Sequence, residues 1–362
     1  MIRVLIAIAL LFVARTAATQ TLNITFDFSN ARQTLRCVRP AQPEPGQIDR
    51  LLELSSTRGL MEKMKVDTGV MRKALMTAAD TNRQTGAVGN MQYQYVRVKQ
   101  QELTRFLALL EKKQDSLRRL LLQSLSAYFP GDHKANIRVC VLLGGYSSGF
   151  TLGDDSTFYL GLHQYKNDLS SVIETCRHEL FHNVQRLWRN AYIVTEGLAN
   201  KGDTGLAFVH YMLINLFQEG SAEYIADLRK VKSPGASVKD LLAHARVNES
   251  RESQVFYLIS KLLVEVAEHP GDASQEELYN LLFDWNWNNP AYYAGYVMTR
   301  RLCREYGEQV LLKYLREDPA VFVMDYIRLA SSATEPASPR FTPRFEELMK
   351  RLDNTIRALP AP

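Results

Sequence analysis

The segment Cys176-Arg177-His178-Glu179-Leu180-Phe181-His182 sets two histidines four residues apart within an apolar-periodic stretch. Residues four apart share one helix face, so a helix here aims both imidazoles at one point and leaves Glu179 leaning over it. Leu180, Phe181, Val184, Leu187 and Trp188 supply a separate apolar face to bury. Ser171 followed by Glu174 reads as a capping box that opens the helix. Two imidazoles and a carboxylate at this spacing suit a zinc ion with Glu179 as general base. The plainer reading is a pair of surface histidines on an amphipathic helix.

A catalytic zinc keeps three protein ligands and one open position, so the chain must supply a third ligand downstream. Glu219 and Glu196 each begin an E-G-x-A tetrad. Glu219 lies in a run from about Leu206 to Leu228 whose apolar residues, Val209, Met212, Leu213, Leu216 and Phe217 among them, fall at helical spacing. Glu223 follows one turn later, placed to accept the outer N–H of a zinc-bound histidine. Glu196 is followed by Lys201-Gly202-Asp203-Thr204-Gly205, which should break a helix, and has Asn200 where Glu223 would stand. Glu219 is therefore the favoured third ligand, and Glu196 the alternative.

H-E-x-x-H with a later helical Glu in an E-G-x-A setting resembles the gluzincin clan of zinc metallopeptidases. Within that clan it is most similar to the uncharacterised zinc-dependent peptidase families. The resemblance covers roughly residues 137 to 300. It implies His178, His182 and Glu219 as Zn2+ ligands, Glu223 as the acid behind them, and a zincin-like core. Residues 183–218 between the motif and Glu219 are a longer span than in thermolysin-like or aminopeptidase-like members, and the G-x-M-E-N motif of the latter is absent. A metzincin would need Gly at Gln185 and His at Trp188.

Met1-Ile2-Arg3, the apolar run Val4 to Ala14 and the small-residue stretch after it read as a cleavable signal peptide, residues 1–19, too short to span a bilayer. The expected compartment is secreted or periplasmic. No later stretch approaches a membrane span. Loss of Arg3 and Arg15 takes the formal charge from +5 to +3, a weak balance that gives no reason to expect a nucleic-acid partner; the basic residues of 97–119 read as solvated helix faces. Cys37, Cys140, Cys176 and Cys303 allow three pairings if all are bridged, which an oxidising compartment permits. Cys176 lies off the histidine stripe and reads as a buried thiol or bridge partner. The sequons at Asn23 and Asn248 matter only in a eukaryotic secretory pathway.

The expected fold class is α+β, mainly α-helical. Residues 20–46 read as an extended segment, with a strand over Leu22 to Phe28 and a Pro-rich linker. Residues 47–128 are helical, and 129–230 form a zincin-like core with strands at 137–143 and 157–162 around the loop Gly144 to Gly149. Residues 231–330 form a helical subdomain, and 331–362 a Pro/Ser-rich loop and terminal helix from Phe345 to Leu359. In zincins the edge strand of such a sheet can pair with an extended peptide.

The implied chemistry is metal-assisted amide hydrolysis of a peptide or protein substrate, with Glu179 moving the water proton. The oxyanion needs a further donor, and Tyr292, Tyr293 and Tyr296 offer three phenols, the first two ahead of the third. His210, His244 and His269 have no ligand spacing. The competing classes are a zinc hydrolase of non-peptide amides or esters, and a degenerate secreted binding protein. An intact Glu179 argues against the latter.

Overall fold

A computed structural model describes residues 21–39, 44–80, 85–131, 133–153, 156–188, 192–271, 274–332 and 338–359. The expected signal peptide, and residues 40–43 of the expected linker, lie outside the described residues. The fold is α+β and mainly helical, with one four-stranded sheet in the order β1-β2-β4-β3.

β1 (Thr21–Asp27) runs parallel to β2 (Lys134–Leu142), with Ile24 opposite Ile137. A parallel pair needs a crossover, and the helices α1 (Ser29–Cys37), α2 (Pro45–Leu52), α3 (Ser55–Met64), α4 (Thr68–Met76), α5 (Gly86–Asn90), α6 (Tyr93–Val98) and α7 (Gln100–Leu125) lie between the two strands. β2 alternates exposed and buried residues up to Arg138, then is buried from Val139 to Leu142 where helices cover it. β4 (Thr157–Gly161) is buried throughout and runs parallel to β2. The edge strand β3 (Gly149–Thr151) is antiparallel to β4, Phe150 opposite Tyr159, with the two rings stacked 4.7 Å apart.

The remaining helices are α8 (Leu169–Arg186), α9 (Tyr192–Asn200), α10 (Thr204–Ile225), α11 (Ala236–Ser250), α12 (Glu252–Glu268), α13 (Gln275–Phe283), α14 (Pro290–Tyr306), α15 (Val310–Arg316), α16 (Pro319–Ser332) and α17 (Pro343–Arg357). α10 is the central one. Val209, Met212 and Leu216 bury one side of it and Ala207 and Ile214 the opposite side, as expected of a helix apolar all round. It packs against α8, α9, α12, α14 and α16.

Four sequence expectations need correction. Within 20–46, expected to be extended, residues 29–37 form the helix α1. The loop expected between the two core strands contains the start of β3, a strand too short to show a two-residue alternation. The Ser171–Glu174 capping box does not form. α8 starts earlier, capped by Asp168, whose carboxylate accepts from the backbone of Ser170 and Ser171 at 3.1 and 3.3 Å. Glu174 instead pairs with Arg177 at 2.8 Å. The terminal helix starts at Pro343, two residues early, because Thr342 caps it.

Candidate metal centre

α8 buries Leu180, Phe181 and Val184, and Phe181 meets Tyr128 edge-on at 5.6 Å. With that face fixed, His178 and His182 emerge one turn apart on another face, their rings nearly perpendicular with centroids 4.8 Å apart. α10 crosses here and brings Glu219. His178 Nε2 lies 3.1 Å from Glu219 Oε2, His182 Nε2 lies 3.2 Å from the same oxygen, and the two Nε2 atoms are 3.1 Å apart. Among the described residues this is the one group of three or more His, Cys, Asp or Glu that could hold a metal ion.

A tetrahedral zinc with bonds of about 2.0–2.1 Å sets its donors about 3.3 Å apart. The near-equilateral triangle of two nitrogens and one oxygen fits that requirement closely. Glycines bring a third helix to the site. A side-chain carbon on Gly220 would stand 2.2 Å from the Gly295 backbone, and one on Gly295 would stand 2.2 Å from the Leu216 carbonyl, so α10 and α14 touch only because both positions are bare. That contact brings Tyr292, three residues before Gly295, beside the histidines.

The outer imidazole nitrogens are held differently. His182 Nδ1 is 2.7 Å from Gln185 Oε1, while Gln185 Nε2 donates to Gln218 O and Ser221 Oγ, each at 2.9 Å. The amide is thereby fixed as an acceptor toward His182, which keeps the proton on Nδ1 and the Nε2 lone pair facing the other two donors. Sequence reasoning missed Gln185, although its position three residues after His182 on the same helix was a usable signal. Glu223 Oε1 faces His178 Nδ1 at 3.7 Å, beyond hydrogen-bond reach.

A cleft of about 210 Å³ opens over the triangle, lined by His178, Glu179, His182, Glu219 and Tyr292 together with Thr151 of β3 and Arg186. Arg186 donates to Thr151 Oγ1 at 3.0 Å, tying the edge strand to α8. Tyr292 lies parallel to the His178 ring, centroids 6.2 Å apart. The two other tyrosines turn elsewhere: Tyr293 donates to Glu252 at 3.3 Å and Tyr296 to Asp227 at 3.2 Å. Glu196 is exposed on α9, and the structure does not bring it into the triangle. All four cysteines are free, buried thiols. His210 is buried between Thr195 Oγ1 at 2.8 Å and Asp318 at 3.1 Å, and His244 packs on Trp285. The sequon residue Asn248 is buried, its amide bonded to the Asn288 carbonyl.

Carboxylates and imidazoles shift one another at the triangle. Burial alone would lower the His178 imidazole, but the hydrogen bond and charge of Glu219, with Glu223 and Glu179 behind, lift it to about 9. Burial would raise the Glu219 carboxyl, yet the two histidines hold it well below the carboxylate range. Burial, and then the Glu219 charge, push the Tyr292 phenol well above its ordinary value, and Glu219 is close enough to accept its hydrogen bond. Tyr292 therefore stays a donor.

A family model described as "Putative zinc dependent peptidase (DUF5700)" matches residues 48–335. The chain belongs to this family. The match runs from the helices before β2 to the end of α16 and includes both arms of the triangle, α8 and α10. The family's zinc dependence agrees with the donor set found here. No curated protein and no solved structure matches the chain.

Proposed function

We propose that the chain is a secreted zinc metallopeptidase in which His178, His182 and Glu219 hold Zn2+ and Glu179 is the general base. The observation that carries this reading is the triangle of donor atoms 3.1–3.2 Å apart, with Glu179 and Tyr292 lining the same cleft. Secretion rests on the leader-like residues 1–19 alone.

Zinc, when bound, supplies Lewis acidity toward the scissile carbonyl and the attacking water. Glu179 takes the water proton as the new C–O bond forms and returns it to the amine nitrogen as the C–N bond breaks. Tyr292, kept protonated, donates a hydrogen bond to the carbonyl oxygen as negative charge collects there. Gln185 holds His182 in the tautomer that leaves Nε2 free. β3 offers the free edge of an antiparallel pair, and Thr151 at its end lines the cleft, so an extended backbone pairing with β3 would pass over the triangle.

Glu179→Gln tests the reading. The variant should keep close to one zinc per chain and lose about a hundred-fold or more of peptide hydrolysis, since an amide cannot accept the water proton. Unchanged turnover on a mixed peptide library would remove Glu179 as the base. A wild type that cleaves no peptide would remove the peptidase reading.

A further inference from the structure

A second cavity, beyond the cleft over the triangle, has no place in the chemistry above. It measures about 580 Å³, within the range of about 300–1,000 Å³ usual for ligand pockets. Its walls come from α9, α10 and α13, with Phe208, Tyr211 and Tyr279 forming an aromatic floor and Ala199 standing exposed at the mouth. Gln275 and Glu276, both exposed, make its rim polar.

An unbroken run of aromatic rings joins this pocket to the catalytic cleft. Tyr292 meets Phe283 edge-on at 6.0 Å, Phe283 stacks on Tyr279 at 4.8 Å, Tyr279 lies 6.0 Å from Tyr211, and Tyr211 lies 6.3 Å from Phe208. Tyr192, more than a third exposed, flanks Tyr211 at 6.2 Å. The Glu219 charge reaches this wall: after burial and Tyr211, it contributes to pushing the Tyr279 phenol up to about 12. Such a wall suits an apolar segment more than a solvated one.

Distance fixes which part of a substrate reaches it. Tyr211 precedes Glu219 by eight residues on α10, about 12 Å along the axis. An extended peptide covers about 3.3 Å per residue, so about four residues separate the scissile bond from the near wall of the pocket.

We infer that this pocket is a distal subsite that takes a large apolar side chain of the polypeptide substrate, about four residues from the scissile bond. The inference rests on the peptidase reading and deepens it, because a contact that remote favours extended chains over dipeptides. The aromatic floor removes apolar surface of the side chain from water, while the polar rim leaves the neighbouring backbone solvated.

The test uses quenched fluorescent dodecapeptides of one core sequence, with Phe or Ala walked through each position. Wild type should show one position, about four residues from the cleaved bond, where Phe raises kcat/KM about ten-fold over Ala, mostly through KM. Ala199→Trp, which plugs the mouth from an exposed position, should bring that Phe/Ala ratio close to one; Tyr279→Ala, which removes the floor, should do the same. A binding arm keeps the two readings apart. The Phe dodecapeptide is titrated calorimetrically into Glu179→Gln and into Glu179→Gln/Ala199→Trp, and the second should bind about ten-fold more weakly. Peptides cleaved with no positional preference, or a ratio untouched by Ala199→Trp, would overturn the subsite and leave the peptidase reading standing. A calorimetric difference without wild-type cleavage would uphold the subsite and remove the hydrolysis.

Discussion

His178 and His163 are both largely buried histidines, and their surroundings push them in opposite directions. His178 faces Glu219 at 3.1 Å with Glu223 and Glu179 nearby, and these carboxylates lift it to about 9 against the cost of burial. His163, in the turn before α8, has Nε2 2.9 Å from the Gly145 carbonyl and a Nδ1 with no partner among the described residues, and burial lowers it to about 4. The first environment collects negative charge around ring nitrogens, and the second excludes charge altogether. Two imidazole nitrogens and a carboxylate oxygen within 3.1–3.2 Å of one another suit a metal dication once the proton leaves and the Nε2 lone pairs are free. Burial of a histidine alone carries no such message.

The sharpest break of this contrast is Glu219→Ala. It removes the carboxylate that both site histidines share, and zinc affinity should fall about a thousand-fold or more, beyond the 10–100-fold typical of outer contacts. Glu196→Ala, on an exposed face of α9, should leave zinc binding as it is. Competition against a chelator reads both. Equal affinity in the two variants would undo the proposed ligand set.

His163 supplies the converse test. Its folded pKa lies below the unfolded value of about 6.5, so the folded state binds fewer protons between pH 6.5 and 4, and stability rises with pH across that window. The stability is complete above pH 6.5 and is lost as pH falls toward 4, because the new proton on Nδ1 would be buried without an acceptor. Burial makes the effect sizeable: between pH 7 and 4.5 the loss from this one group is about 2–3 kcal/mol. Urea denaturation of zinc-free protein should show His163→Gln losing that much less on acidification than wild type. An identical acid response in the two would mean that His163 takes up its proton in the fold, and the contrast with His178 would fail.

How much of this was legible in the sequence follows from the range of each interaction. The helix of His178 and His182 follows from local spacing, and Glu219 was separable from Glu196 because one stands in a long apolar helix and the other before a glycine break, where Gly202 indeed adopts φ +84°. The choice among Tyr292, Tyr293 and Tyr296 was not legible. Consecutive helix residues point about 100° apart, and which of them meets the cleft is decided by the Gly220–Gly295 contact between two helices distant in sequence. Tyr293, which the sequence favoured equally, turns to Glu252 for that reason. The pairing of β1 with β2 is likewise set by a crossover of more than a hundred residues, for which no local pattern exists.

The smallest expected effects separate the two flanks of the centre itself. On the His182 side, Gln185 is pinned by two donated bonds and accepts at 2.7 Å, so its orientation is already set before any metal arrives. Gln185→Leu should lower zinc affinity about 10–100-fold, because the ring loses the bond that fixes its tautomer and angle. On the His178 side Glu223 stands at 3.7 Å, too far for a hydrogen bond, and its contribution is the weaker one of charge at a distance. Glu223→Gln should therefore cost only a few-fold, less than the 10–100-fold of a formed outer contact. Asp227→Asn should be silent, since that carboxylate is engaged by Tyr296 and the Arg229 backbone. Should Glu223→Gln prove as damaging as Gln185→Leu, the carboxylate must close on His178 Nδ1 when zinc binds, and the two flanks become equivalent in the loaded protein. Should Asp227→Asn match them, the weakening would come from the packing of α10 against α14, and neither flank would owe its effect to a bond with an imidazole.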